Sequence, residues 1–194
     1  MGQSDENSNK FRAFLEKYSI IPDSDWLIIR NAFNRKVFSK NDIILAEGSI
    51  CRYFYFLDEG LIRFFYNNDG EEITKFFTVA PYCFTSRSSF RNQKPADESI
   101  QAIERTVVWQ SSFNKTNELL GLKSWEAFTR NFMHEVQTYT EELMLEIKTR
   151  TAEERYLRLL EKHPDLTHKI PLKYLSGFLG IAPQSLSRIR KKFL

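Results

Sequence analysis

The apolar residues of this chain change period twice, and that change limits the fold more than any other feature. Phe11, Phe14, Leu15 and Tyr18 recur at helical spacing. Beyond the break at Pro22, Trp26, Ile29 and Phe33 do so again, with Leu27 and Ile28 widening the apolar face. The spacing then becomes alternating, which predicts strands near Val37–Ser39, Asp42–Leu45, Tyr53–Leu57, Leu61–Tyr66 and Glu72–Thr78, with further strands at Tyr82–Phe84, Glu98–Ala102 and Thr106–Gln110. Glu47-Gly48, Glu59-Gly60 and Asn68-Asp69-Gly70 punctuate the block, and the last is a hairpin signal because Gly takes the positive φ of a tight turn. Short strands at this spacing predict a β-sandwich or barrel.

After Ser111 the period is helical to the end. Trp125, Phe128, Phe132, Val136, Tyr139, Leu143 and Ile147 advance in steps of three and four, and no Pro or Gly interrupts Leu122 to His163. One long helix over Ser124–Lys148 is predicted. Thr151-Ala-Glu-Glu154 resembles a capping box and opens another helix that ends before Pro164. A second line on the long helix, at Met133, Thr140 and Met144, needs burial of its own, which points to a partner helix and a homodimer.

Charge is distributed unevenly. Lys169, Lys173, Arg188, Arg190, Lys191 and Lys192 stand in the last 26 residues without an acid, leaving 22 basic against 25 acidic residues before them. A slightly acidic body with a cationic end suits a nucleic-acid partner. No stretch approaches the roughly 20 apolar residues of a membrane span. The polar opening Met1–Lys10 lacks the apolar core of a signal peptide, so a cytoplasmic protein with no membrane partner is expected. Cys51 and Cys83 are too few for a four-thiolate cluster and are expected as buried thiols. His134, His163 and His168 lie outside the strand block, so no metal site is expected. No nucleophile elbow or phosphate-binding loop occurs either, and neither an enzyme nor a cofactor is expected.

The segment Ile170–Lys192 supplies the motif that charge alone lacks. Leu172, Leu175 and Leu179 form the stripe of a short helix, Gly180 suits a left-handed helix end, and Ile181 is the buried residue of a turn. Pro183 stands at a first helical position, where its missing N–H costs nothing, and Leu186, Ile189 and Phe193 form the inner face of a second helix. This spacing is that of a helix-turn-helix, whose second helix enters the major groove of double-stranded DNA. The candidate DNA-binding residues are Gln184 and Arg188, which suit base edges, Ser185 and Ser187 beside them, and Arg190, Lys191 and Lys192, which suit phosphates.

From about Phe33 to Phe193 the chain resembles the Crp/Fnr family of bacterial regulators. Ile44-Leu-Ala-Glu-Gly48, Tyr53-Phe-Tyr-Phe-Leu-Asp-Glu-Gly-Leu-Ile-Arg63 and Asp69-Gly-Glu-Glu72 look like its cyclic-nucleotide-binding β-roll. The resemblance implies an α+β chain in three parts. These are a double-stranded β-helix (jelly-roll) sensor over 1–122, a long dimerisation helix over 123–149 and an all-α helix-turn-helix unit over 150–194. It also implies RNA polymerase as a partner. Two departures stand out. Thr85 and Ser86 occupy the place of the family's Gly-Glu pair, and Ala96, beside Asp97 and Glu98, occupies that of its phosphate-binding Arg, which argues against cAMP. The expected β-hairpin wing after the recognition helix is not evident before Leu194. An unidentified small-molecule effector is expected in a pocket of Phe76, Tyr82, Thr85, Ser86 and Arg87, although Phe65, Phe76, Phe77 and Tyr82 also suit a plain core. The alternative is a ligand-sensing or protein-interaction module without sequence-specific DNA binding.

Overall fold

A computed structural model describes residues 3–193, so the expectation about a wing at Leu194 falls outside it. Two helices, α1 (Gln3–Glu16) and α2 (Asp23–Ala32), lead into eight strands: β1 (Asn34–Phe38), β2 (Ile43–Leu45), β3 (Tyr53–Glu59), β4 (Leu61–Asn68), β5 (Glu71–Val79), β6 (Tyr82–Phe84), β7 (Ser99–Ala102) and β8 (Thr106–Ser112). A six-residue helix, α3 (Arg87–Asn92), interrupts them between β6 and β7. Six further helices follow: α4 (Phe113–Glu118), α5 (Lys123–Thr149), α6 (Ala152–Lys162), α7 (Pro164–Lys169), α8 (Leu172–Leu179) and α9 (Pro183–Phe193).

The strands form two four-stranded antiparallel sheets, β1-β8-β3-β6 and β2-β7-β4-β5, which face each other as a jelly roll. Gly60, between β3 and β4, has φ +106°, and a Cβ there would lie 2.7 Å from the Thr106 hydroxyl and 2.8 Å from the Arg105 carbonyl. Only glycine fits that turn. The interior between the sheets is mostly apolar, with Tyr55 stacked on Phe84 at 4.8 Å and Phe64 on Phe76 at 4.3 Å.

Each sheet has a second, outward face, because successive side chains alternate. On the first sheet Phe54, Phe56 and Cys83 pack against Phe11, Phe14, Leu15, Trp26, Ile29, Trp125, Phe128 and Phe132 from α1, α2 and α5. On the second sheet Leu61 and Ile103 join Tyr156, Leu166, Ile170, Leu175, Leu179 and Leu186 from the terminal helices. The roll is thus enclosed between two helical layers.

The α5 helix runs from Lys123 to Thr149, but only its first third is buried, at Trp125, Phe128 and Phe132. Beyond it Tyr139, Met144, Leu145 and Ile147 are more than half exposed. Leu27 and Ile28, expected to widen the apolar face of α2, are also exposed, because only Trp26 and Ile29 turn toward the roll. The capping box at the start of α6 is present in both halves: the Glu154 amide donates to the Thr151 hydroxyl at 3.2 Å and the Thr151 amide to the Glu154 carboxylate at 2.8 Å. These bonds favour the charged form and hold the Glu154 carboxyl below its usual range. Both cysteines are free and buried, and burial pushes the Cys83 thiol well above its ordinary value.

Candidate nucleic-acid interface and effector pocket

The α8 helix ends at Gly180, with φ +68°, and the Ile181 amide donates back to the Ser176 carbonyl at 3.1 Å. This left-handed closure reverses the chain and launches α9 within three residues, with Pro183 at its first position. Leu175, Leu179 and Leu186 are buried between the two helices, so their angle is fixed by packing. Two helices joined by a tight turn stand here, as the spacing of Ile170–Lys192 predicts.

Along α9, Gln184, Arg188 and Lys191 are exposed at steps of four and three and share one face. Ser185 and Ser187 are half-buried beside it. Arg190 is turned inward: its guanidinium donates to the Thr167 carbonyl at 2.7 Å and ties α9 to α7. The Lys192 ammonium lies 3.1 Å from the Glu153 carboxylate, an exposed pair on α6. Arg155 donates to the Leu179 carbonyl at 2.6 Å, supplying a cation and a donor where the α8 helix leaves carbonyls unpaired. Sequence reasoning passed over Arg155, because a helical arginine does not announce which neighbouring helix end it will meet.

The five candidate effector residues do not line one cavity. Phe76 lies in the roll interior against Phe64, whereas Tyr82 packs against Phe14 at 5.9 Å and Phe132 at 5.3 Å in the helical layer. Burial pushes the Tyr82 phenol up to about 12. The Thr85 hydroxyl donates to the Tyr53 carbonyl at 3.0 Å, and Arg87 is exposed. Ser86 is fully buried, and its hydroxyl donates to the Glu98 carboxylate at 2.9 Å. Glu98 in turn accepts from the Lys75 ammonium at 3.0 Å. Ala96 is buried among apolar side chains.

The second sheet carries a buried cation that the sequence motif contained without explaining. Arg63 alternates with Leu61 and Phe65 on the outward face of β4 and is 1% exposed. Its guanidinium lies between two rings, 3.9 Å from the centre of Phe65 and 3.5 Å from that of Tyr174 on α8. It donates to Gln101 at 2.8 Å and to Glu72 at 2.7 Å, while Nη1 has no partner. Next to it Gly177 brings the α8 backbone down on β5, where a Cβ would sit 3.5 Å from the Glu72 carbonyl and the Thr74 amide nitrogen.

Among the described residues no group of three or more His, Cys, Asp or Glu side chains is placed to hold a metal ion, and no helix is long and apolar enough to cross a membrane.

Comparison with known proteins bears on this architecture. The cyclic nucleotide-binding domain family matches residues 35–121. No curated protein sequence matches the chain. Among solved structures, FixK2 from Bradyrhizobium japonicum is similar with a TM-score of 0.69 at 17% identity, covering 82% of this chain and 83% of its own. A CooA variant from Carboxydothermus hydrogenoformans has a TM-score of 0.66 at 18% identity, covering 85% and 78% respectively. A chain from Eubacterium rectale assigned to the Crp/Fnr family of transcriptional regulators has a TM-score of 0.71 at 16% identity, covering 89% and 83%. Residues 35–121 thus match the cyclic nucleotide-binding domain family, and the chain as a whole has a fold similar to that of the Crp/Fnr transcription regulators.

Proposed function

We propose that this chain is a DNA-binding transcription regulator of Crp/Fnr type rather than an enzyme, working in the cytoplasm as a homodimer. The observation that carries the reading is the face of Gln184, Arg188 and Lys191 on a helix held rigidly behind a Gly180 turn. Gln184 and Arg188 suit adenine and guanine edges, and Lys191 suits a phosphate. Ser185 and Ser187 flank that face. The contribution of Arg190 is to fix α9 on α7, and Lys192 reaches a phosphate by giving up its exposed pair with Glu153. The uncovered apolar side chains of α5, from Tyr139 to Ile147, support pairing with the same helix of a second copy.

In this reading residues 1–122 are the sensor, 123–149 the dimerisation helix and 150–194 the DNA-binding unit, with RNA polymerase as a further partner. The sensor responds to a small molecule other than cAMP, since Ala96 stands where a phosphate-binding cation is needed and Glu98 is anionic.

The test is selection of bound genomic fragments by the wild-type chain and by a Gln184→Ala, Arg188→Ala double variant. A palindromic motif recovered only by the wild type is the expected result, with affinity falling steeply as salt rises. Binding that is indifferent to salt and to both substitutions would sink the DNA reading and favour an interaction module.

A further inference from the structure

A buried carboxylate stands inside the roll, bonded to a buried hydroxyl and to the ammonium of a side chain that is itself 42% exposed. Glu98 immediately precedes β7 and shares the inward face with Ile100, and it is buried. One carboxylate oxygen accepts from the buried Ser86 hydroxyl at 2.9 Å, at the start of α3; the other accepts from Lys75 at 3.0 Å. Lys75 reaches it because the pairing of β4 with β5 is irregular there. Phe64 stands opposite Phe76 and Phe65 opposite Thr74, so Lys75 is the extra residue of a bulge, a device that re-aims a side chain. Burial alone would lower the Lys75 ammonium, but bonding to Tyr66 and the Glu98 charge outweigh it, and the group stays cationic. A carboxylate is costly to bury unless it is paired, and here three separate segments converge on one: the β5 bulge, the β6–α3 junction and the approach to β7.

We propose that Glu98 is the resident anion of the β-roll. It satisfies the cation of Lys75 and the hydroxyl of Ser86, holds the connection from β6 to β7 in place without a bound ligand, and closes this end of the interior to anionic ligands such as cyclic nucleotides. The proposal deepens the sensor reading, on which its functional meaning rests: the ligand class left to this roll is neutral or cationic.

Thermal melting of the full chain tests it without reference to DNA, so failure here and failure of the DNA-binding reading are distinguishable. The wild type should melt at the same temperature with or without cAMP, formate or acetate at constant ionic strength. Glu98→Ala should melt about 5 to 10 °C lower. It should recover at least half of that loss in formate or acetate, and none in matched chloride. Adding Lys75→Met to Glu98→Ala should abolish the recovery. If Glu98→Ala does not fold, Lys75→Met alone carries the test, since it strands the carboxylate; a loss of about 3 to 5 °C is expected. Stabilisation of the wild type by cAMP, a Glu98→Ala loss that no carboxylate restores, or a Lys75→Met chain that melts with the wild type would each overturn the proposal.

Discussion

The two outward faces of the roll are covered in different ways. The first sheet is joined to α1, α2 and α5 by an aromatic layer: Phe11 stacks on Phe56 at 4.5 Å, Phe14 meets Phe128 and Phe132, and Trp125 meets Phe33 and Phe54. The second sheet is joined to the terminal helices by an apolar rim around one clamped arginine, Arg63, and one close backbone approach, at Gly177. Burying large rings is worth kilocalories per side chain and has no alternative in water. A guanidinium and its partner Glu72, which is one-third exposed, both have water as an alternative. The aromatic face is therefore expected to be the stronger joint, and the arginine face, which carries α8 and α9 and also packs Tyr156 and the Phe77–Phe178 pair, the weaker one.

This contrast can be broken at its strong side first. Phe56→Ala should cost about 3 to 5 kcal/mol, on the order of 10 °C in melting temperature, and should lower amide protection across the roll and the helices alike. If it melted with the wild type, the aromatic layer would not be the main weld. Gly177→Leu comes next. Its side chain has no room over β5, so α8 should lift, with amide protection of residues 172–179 falling about 10- to 100-fold. Protection of β3 and β8 should stay as in the wild type; a uniform fall would instead tie both faces into one unit.

Arg63→Met sharpens the comparison further, since it keeps the bulk and removes the charge. About a tenfold loss of protection in α8 is expected, from the lost ring contacts and hydrogen bonds, with a shift of only a few degrees in melting. A loss as large as that of Phe56→Ala would show that the arginine is no lesser joint. Gly177→Ala should be close to silent, because its Cβ sits at ordinary contact distance and alanine favours the helix.

A further small effect belongs to pH. Asp58 lies on the aromatic side, with its carboxylate 3.4 Å from the Trp109 ring nitrogen, and burial raises its pKa. A carboxyl raised on folding contributes stability that is fully present below its unfolded value and is lost as pH rises through its folded value. Asp58→Asn should therefore melt closest to the wild type in acid and above it at neutral pH. Equal melting at both would remove Asp58 from the pH response.

Much of this could be read along the chain. The predicted strand over Leu61–Tyr66 is β4 with two residues added, and the helix expected over Ser124–Lys148 is α5 with one residue added at each end. Alternation and helical spacing persisted there for long enough to be unambiguous. The six-residue helices α3, α4 and α7 were missed, because a turn and a half cannot display a period. Gly180 and Pro183 marked their turn correctly, since each answers a local backbone demand. The effector set fared differently. Phe76 and Tyr82 lie close together in sequence yet belong to different layers of the molecule.

Local geometry of the longer elements was legible along the chain: which of them are strands or helices, and where the chain reverses between them. Those properties depend on backbone conformation and on periods of two and 3.6 residues, and both are carried by neighbours along the chain. What each face meets was settled by the packing of whole layers. It put α8 over Arg63, turned Arg190 to Thr167 and brought Glu98 to Lys75, 23 residues away. Periodicity names a face to be covered. What covers it depends on how whole layers pack, and no stretch of sequence holds that information alone.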